Sequence, residues 1–112
     1  MIITYFGKQF FKIGQGSLTI AVNPISKESK FGASASRFGS DIALSTINHP
    51  DYNGFEMVSH GENIPFEIKG PGDYEIKDIF IKGIMTNTEI DGKKYINTIY
   101  SFSADSISLC FL

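Results

Sequence analysis

Short apolar runs recur along the chain, and in some of them, as at 65–69, hydrophobic and polar residues alternate with the period of two that is typical of β-strands with one buried face. Glycine, proline and asparagine interrupt the runs every few residues. Runs rich in Ile, Phe, Thr, Tyr and Val predict strands at 2–6, 9–13, 17–22, 41–46, 65–69, 74–76, 79–85, 86–90, 95–102 and 107–112. At most one or two short helices are expected, the clearest at 55–60. The pattern therefore predicts an α+β, predominantly β fold with stacked sheets or a sandwich.

Two glycine-containing segments predict hairpin turns. Gly14-Gln15-Gly16 separates two predicted strands, and Asp91-Gly92 lies between the runs at 86–90 and 95–102. Tight two-residue hairpin turns need positive φ, which glycine adopts freely and aspartate tolerates. We therefore expect antiparallel pairing of the strands that flank each turn.

The longest stretch without strand character runs from about residue 26 to 40 and predicts a flexible loop. It contains many small and polar residues and three cations, Lys27, Lys30 and Arg37. One interpretation is a lid whose cations bind an anionic substrate, because long loops in small domains often carry function. The other interpretation is a solvated connection between two strands. The sequence leaves both open.

Composition and charge exclude several classes of protein. The 112 residues suit one domain, 1–112, and a formal net charge of −2 offers no basic surface to nucleic acid or to an anionic membrane. No apolar run is long enough to cross a bilayer, and the N-terminus has no signal-like segment. A single cysteine, Cys110, cannot form an internal disulfide, so we expect a cytoplasmic location. Cys110 itself is predicted to be buried in the last strand.

The last predicted strand, 107–112, is apolar up to its final residue. Exposing such a strand to water is costly, so it is expected to be buried either within the fold or against a partner. The second possibility predicts a homo-oligomer that forms through the C-terminal strand. Two copies would then lie around a two-fold axis.

Candidate chemistry is concentrated in the segment that follows the predicted strand at 41–46. This segment contains His49 and Asp51, two residues apart, a spacing at which a tight turn can direct an imidazole and a carboxylate toward one point. The pair predicts an incomplete metal site. A structural alternative is that Asp51 caps the turn and His49 forms a hydrogen bond with the loop backbone.

Six segments carry a resemblance to one protein family, in the same order along the chain. They are Phe6-Gly7-Lys8-Gln9-Phe10, Val22-Asn23-Pro24, Asp41-Ile42-Ala43-Leu44, Lys69-Gly70-Pro71-Gly72-Asp73-Tyr74-Glu75-Ile76, Phe80-Ile81-Lys82-Gly83-Ile84 and Asn97-Thr98-Ile99-Tyr100. Together they resemble the N-terminal half of metallo-β-lactamase-fold proteins, and most closely the ascorbate-phosphate-lactonase-like, zinc-dependent hydrolases. The resemblance implies one half of an αββα fold. It also implies zinc, or another divalent metal, whose bound hydroxide attacks an ester, lactone, amide or phosphodiester.

Most metal-binding positions of that family are replaced in this chain. Three of the family's histidine ligands are replaced, by Ile47, Tyr52 and Thr88. Two other polar positions of the family's pattern have become Lys8 and Asn23. Only His49 and Asp51 keep ligand-forming side chains, whereas a catalytic zinc normally has three protein ligands. We therefore expect no cofactor, or zinc or another divalent metal only where other groups complete the site.

Three hypotheses about function follow. The first is a non-catalytic metallo-β-lactamase-like domain that acts as a structural or interaction module and pairs with itself. The second is a metal-dependent hydrolase of lactones, esters or phosphodiesters whose site is completed by a partner chain. The third is a small-anion binding domain in which the cations of the 26–40 loop hold the ligand.

Overall fold

The structure, a computed structural model, describes residues 1–30, 38–62, 64–104 and 106–112. Within these ranges nine strands form two sheets, and there is one short 3₁₀ helix. The predicted predominantly β fold is therefore confirmed. The strands are β1 (Ile2–Gly7), β2 (Phe10–Gln15), β3 (Leu18–Val22), β4 (Ile42–Leu44), β5 (Phe66–Ile68), β6 (Gly72–Ile76), β7 (Ile79–Ile90), β8 (Lys93–Ala104) and β9 (Ile107–Phe111). The 3₁₀ helix spans Phe55–Val58.

The two sheets differ in topology. The first has the order β1-β2-β3-β4-β5, in which β1, β2 and β3 pair antiparallel and β3, β4 and β5 pair parallel. The second has the order β6-β7-β8-β9 and is antiparallel throughout. Parallel neighbours require long crossover connections, which explains the long segments at 23–41 and 45–65. The first crossover contains Lys27 and Lys30, and the second contains His49 and Asp51.

The β7–β8 hairpin is longer than its sequence pattern indicates. Residues 79–85 and 86–90, predicted as two strands, form the single twelve-residue strand β7. Asp91 and Gly92 have φ of +51° and +80°, as a two-residue hairpin turn requires, which confirms the predicted turn. The first predicted turn is displaced, because β2 continues through Gln15 and the positive φ of +58° lies at Gly16.

The main hydrophobic core lies between the two sheets. Aliphatic side chains of β2 to β5 pack there against aromatic and aliphatic side chains of β7 and β8. The fully or nearly fully buried members are Ile13, Ile20, Val22, Ile42, Leu44, Ile68, Ile79, Ile81, Tyr100 and Phe102. Leu109 and Phe111 of β9 pack against this core, so the last strand is partly buried within the fold, whereas Leu112 is 75% exposed.

A second, smaller core covers the opposite face of the first sheet. It consists of Phe10, Ala21, Ile25, Ala43 and Val58, with Phe6, Phe38 and Phe55 packed against it. The 3₁₀ helix and the two crossovers supply the covering residues, where the αββα pattern would place a helical layer. In the described part of the chain no helix is long and apolar enough to cross a membrane.

Cys110 is exposed, so the prediction that it is a buried packing residue was wrong. Side chains alternate between the two faces of a strand, and in β9 the inner positions are taken by Leu109 and Phe111. Cys110 pairs with Ser101 of β8 and projects with it to the outer face of the second sheet. The apolar character of the strand therefore did not determine which residues are buried.

Candidate functional site

Residues 45–54, called the site loop below, leave the end of β4 and are attached to both sheets. Asn23, buried and in the left-handed region with φ of +51°, fixes the start of the loop from the first sheet. Its Oδ1 accepts hydrogen bonds from the backbone N and the Oγ1 of Thr46, at 2.8 and 3.0 Å. Thr98 of β8 donates its backbone N–H to the carbonyl of Thr46 at 2.8 Å, and Ile47 forms a β-bridge with Asn97.

The far end of the site loop packs tightly against the crossover that follows β3. Gly54 N–H donates to the carbonyl of Pro24 at 2.7 Å, and Ser26 N–H donates to that of Pro50 at 2.8 Å. A Cβ atom on Gly54 would lie 2.4 Å from the backbone carbon of Ile25. The close approach of the two backbones therefore requires glycine at position 54. It also brings Ser29 within reach of the site loop.

Asp51 accepts contacts from two residues that are distant in sequence. Lys8, in the turn between β1 and β2, places its Nζ 3.2 Å from Asp51 Oδ2. Ser29, on the crossover, donates its hydroxyl to Asp51 Oδ1. Burial raises the pKa of Asp51, but the hydrogen bonds from Ser29 and Lys8 and the charge of Lys8 outweigh it and hold that pKa below its usual range. Asp51 is thus an ionised carboxylate with a protein cation bound to it.

His49 is held by the backbone and by two aromatic rings. Its Nδ1 accepts the backbone N–H of Asp51 at 3.1 Å, the contact that the structural interpretation of the sequence predicts. The imidazole lies edge-on to Tyr52 and Tyr95, with ring centroids 6.0 and 5.6 Å away. Because Nδ1 is an acceptor, the proton of the neutral ring is carried by Nε2.

A cleft of about 470 Å³, the site cleft, opens beside these residues. It is lined by Lys8, Glu28, Lys30, His49, Pro50, Asp51, Ile90 and Asp91. Of the three cations predicted to bind substrate, Lys30 lines this cleft, and Lys27 is exposed and outside its lining. Arg37 lies outside the described residues. The cleft contains two cations and three carboxylates, so within the described residues it is not a purely basic anion site.

Comparison with known proteins assigns the fold to a family. The sequence profile of the family described as "Beta-lactamase superfamily domain" matches residues 2–112. The chain belongs to this family. No curated protein matches the chain.

A solved structure adds to this assignment. It is a Thermotoga maritima protein described as a proposed Zn-dependent hydrolase of the metallo-β-lactamase superfamily, and it is similar to the chain with a TM-score of 0.70 and 24% identity. The match covers 98% of this chain and 47% of that protein, so the chain spans about half of its length. Such a likeness shows the fold, and it supports the prediction that the chain corresponds to one half of an αββα arrangement.

The residues of this β-lactamase-superfamily domain do not by themselves fit a zinc centre. At the positions where the resemblance places histidine ligands, Ile47 is buried in the β-bridge and Tyr52 packs against His49. Thr88 lies in β7 directly opposite Tyr95, the other ring that contacts His49. In the described ranges, no three His, Cys, Asp or Glu side chains are grouped closely enough to hold a metal ion. His60, the other histidine, is exposed.

Sequence reasoning missed Lys8 and Ser29 as partners of Asp51. Lys8 was identified as a replacement of a family residue, but its contact with Asp51 depends on how the β1–β2 turn lies beside the site loop. A usable signal was present, since a lysine at a family position near a retained carboxylate predicts an ion pair. Ser29 carried no comparable signal among the many serines of the predicted loop.

Proposed function

We propose that this chain is a non-catalytic β-lactamase-superfamily domain that serves as a structural or interaction module. The ion pair between Lys8 and Asp51 is the observation that carries the proposal. A metal ion would supply positive charge to this carboxylate, and here the lysine ammonium supplies it. Burial alone would raise the pKa of Asp51, and the hydrogen bond from Ser29, together with the hydrogen bond and charge of Lys8, lowers it.

The hydrogen bond that the His49 imidazole accepts supports the same proposal. An imidazole that binds metal through Nε2 carries its proton on Nδ1, which usually donates to a carboxylate or a carbonyl. Here Nδ1 faces the backbone N–H of Asp51 at 3.1 Å, so a proton on Nδ1 would meet another donor. Binding through Nδ1 would require the loss of that hydrogen bond. Metal binding at His49 therefore requires that this hydrogen bond be broken.

The site loop has a structural role in this proposal. Its first residues bond to both sheets, through Asn23 on one side and Thr98 on the other. Lys8 and Ser29 then tie Asp51 to the β1–β2 turn and to the crossover after β3. Side chains inherited from a metal-binding loop would in this way hold three separate segments of the domain together.

Self-pairing through the C-terminal strand stays part of the proposal. β9 is an edge strand of the second sheet, and Ile107 on it is half exposed. An exposed edge with apolar side chains is a surface on which a second copy can add strands. The closer resemblance to ascorbate-phosphate-lactonase-like hydrolases remains a prediction. The alternative function, a hydrolase whose metal site is completed by a second chain, predicts stoichiometric metal that depends on His49.

Zinc titration of matched histidine variants tests the proposal. Calorimetry would compare the wild-type chain, His49→Ala and the control His60→Ala, which removes an exposed histidine outside the site cleft. We expect the zinc affinities of the wild type and His49→Ala to be indistinguishable. Micromolar or tighter binding that disappears in His49→Ala but survives in His60→Ala would overturn the proposal and favour the hydrolase alternative.

A further inference from the structure

We propose that a second cleft, on the other side of the site loop, binds a small oxyanion that carries at least two negative charges. This basic cleft has a volume of about 410 Å³, a size typical of small-ligand sites. It is lined by Asn48, Lys69, Pro71, Lys93, Lys94, Tyr95, Ile96 and Thr98. Among the described residues, three lysines and no Asp or Glu therefore line this cavity, although the whole chain has a net charge of −2.

The fold explains why the three lysines meet. Lys69 follows β5 at the end of the first sheet, and Lys93 and Lys94 begin β8 directly after the Asp91-Gly92 turn. β9 pairs only with the distant half of β8, from Tyr100 to Ala104. The site loop pairs with β8 at Asn97 and Thr98, and the cleft forms beyond these contacts, between residues 93–96 and Lys69.

Aromatic contacts orient two of the three ammonium groups. Lys69 Nζ lies 5.7 Å from the ring centre of Phe55, and Lys93 Nζ lies 5.3 Å from that of Tyr95. Cation–π contacts of this kind restrict long side chains while leaving their N–H donors for a ligand. An ammonium group that is already oriented loses less conformational entropy when it binds an anion.

The local charge balance sets the charge of the ligand. Lys69 Nζ forms an ion pair with Glu67 at 3.0 Å, so one of the three positive charges is already matched. Glu89 lies opposite Lys94 in the strand register and lines an adjacent surface with Asn87, Thr88 and Lys94 itself, so Lys94 borders both that surface and the cleft. About two positive charges are left for a ligand. A phosphate ester, a diphosphate or a dicarboxylate has matching charge.

An adjoining cavity extends the basic cleft and supplies neutral donors. It has a volume of about 430 Å³, shares Asn48 and Lys69 with the cleft, and is also lined by Ser45, Asn53 and Phe55. Asn53 Nδ2 donates to Asn48 Oδ1 at 3.0 Å, which leaves the amide N–H groups of Asn48 for a ligand. An anion bound by the lysines could thus extend an uncharged or aromatic part toward Phe55.

The inference goes beyond the proposed function and does not depend on it, since Lys8, His49 and Asp51 do not line the basic cleft. Tyr95 nevertheless lines the cleft and contacts the His49 ring at 5.6 Å. Binding would therefore also change the environment of His49. Binding would give a non-catalytic domain a ligand, on a surface that neither Lys27 nor Lys30 lines.

Titration with inorganic pyrophosphate, followed by ¹H–¹⁵N NMR at constant ionic strength, tests the inference. We expect saturable shifts concentrated at Asn48, Lys69 and residues 93–95, and a shift of the His49 ring. Lys69→Ala and Lys93→Ala should each weaken binding by roughly fivefold or more, because each removes one charge-assisted contact. Lys82→Ala, which removes an exposed lysine on the outer face of the second sheet, should leave the affinity unchanged.

Three outcomes would overturn the inference. One is an equal loss of affinity in Lys82→Ala, and another is an equal response to chloride at matched ionic strength, since both indicate non-specific charge screening. The third is tighter binding of a single-stranded oligonucleotide than of pyrophosphate, with shifts spread over the surface. The zinc titration of His49→Ala is independent of these results, so failure of one proposal would not be confused with failure of the other.

Discussion

The ion pair between Lys8 and Asp51 gives the sharpest prediction about the site loop. The perturbation is a double-mutant cycle composed of Lys8→Met, Asp51→Asn and the double variant. Met keeps the length of the lysine side chain without its charge, and Asn keeps the shape of the carboxylate. The quantity of interest is the coupling free energy, the part of the stability change that neither single substitution explains.

The expected coupling is about 1 kcal/mol. At 3.2 Å, two unit charges attract by about 1 kcal/mol in bulk water and by about 5 kcal/mol at an effective dielectric constant of 20. The Lys8 side chain is 37% exposed and that of Asp51 is 16% exposed, so the pair lies near the surface. Measured couplings of exposed pairs are about 0.2–1 kcal/mol, and the more buried carboxylate places this pair near the upper end.

Urea unfolding at neutral pH measures the stability of the four proteins in the cycle. Salt and pH should each change the contribution of the ion pair. Added salt should reduce the coupling, because the lysine end is exposed. The pKa of Asp51 is lowered in the folded chain, so its stabilising effect is fully present above the unfolded pKa of about 4 and is lost as the pH falls through the folded pKa. The stability difference between the wild type and Asp51→Asn should therefore shrink only in that acidic range. A coupling of zero at low salt and neutral pH would refute the reasoning.

Three further predictions concern packing and assembly. Gly54→Ala should destabilise the fold by about 2 kcal/mol or more in urea unfolding, because its Cβ would meet backbone atoms. A Cβ on Gly70 would meet nothing within 4 Å, so the control Gly70→Ala should change stability by less than about 1 kcal/mol. Equal effects of the two substitutions would contradict this account. Tyr100→Phe should cost about 1 kcal/mol in the same assay, because the buried hydroxyl donates to the Ser45 carbonyl at 2.9 Å; an unchanged midpoint would argue against that contact. Light scattering should find a dimer that Ile107→Lys dissociates, and a wild-type monomer at all concentrations would remove the basis for self-pairing.

The strands could be predicted from the sequence because each depends on a local pattern, either alternation or, as in the fully buried β4, a short apolar run. The hairpin at Asp91-Gly92 is a local signal of the same kind, and it was confirmed. The division of β7 into two strands was wrong because its polar outer half, Thr86 to Ile90, continues the pairing with β8 without a break. Burial in β9 was misjudged at Cys110 because an apolar strand at a sheet edge still has an outer face.

The candidate site could be located from the sequence but not assembled. His49 and Asp51 belong to one loop, and their contact is local. The partners of Asp51 come from the β1–β2 turn and from the crossover after β3, and only the sheet order brings Lys8 and Ser29 to the same carboxylate. The basic cleft depends on tertiary structure in the same way. Its lysines belong to two sheets, and Lys69 meets Lys93 only because the sheets stack.

The metal content of the purified chain tests the central claim most directly. Elemental analysis should be made on untagged protein that has met neither chelator nor metal-affinity resin, alongside His49→Ala and Asp51→Asn. We predict no stoichiometric zinc, iron or manganese in any of the three, because Asp51 is paired with Lys8 and Nδ1 of His49 accepts a backbone N–H. About one metal ion per chain in the wild type, lost in both variants, would contradict the account, and about half an ion per chain would instead indicate a site shared between two copies.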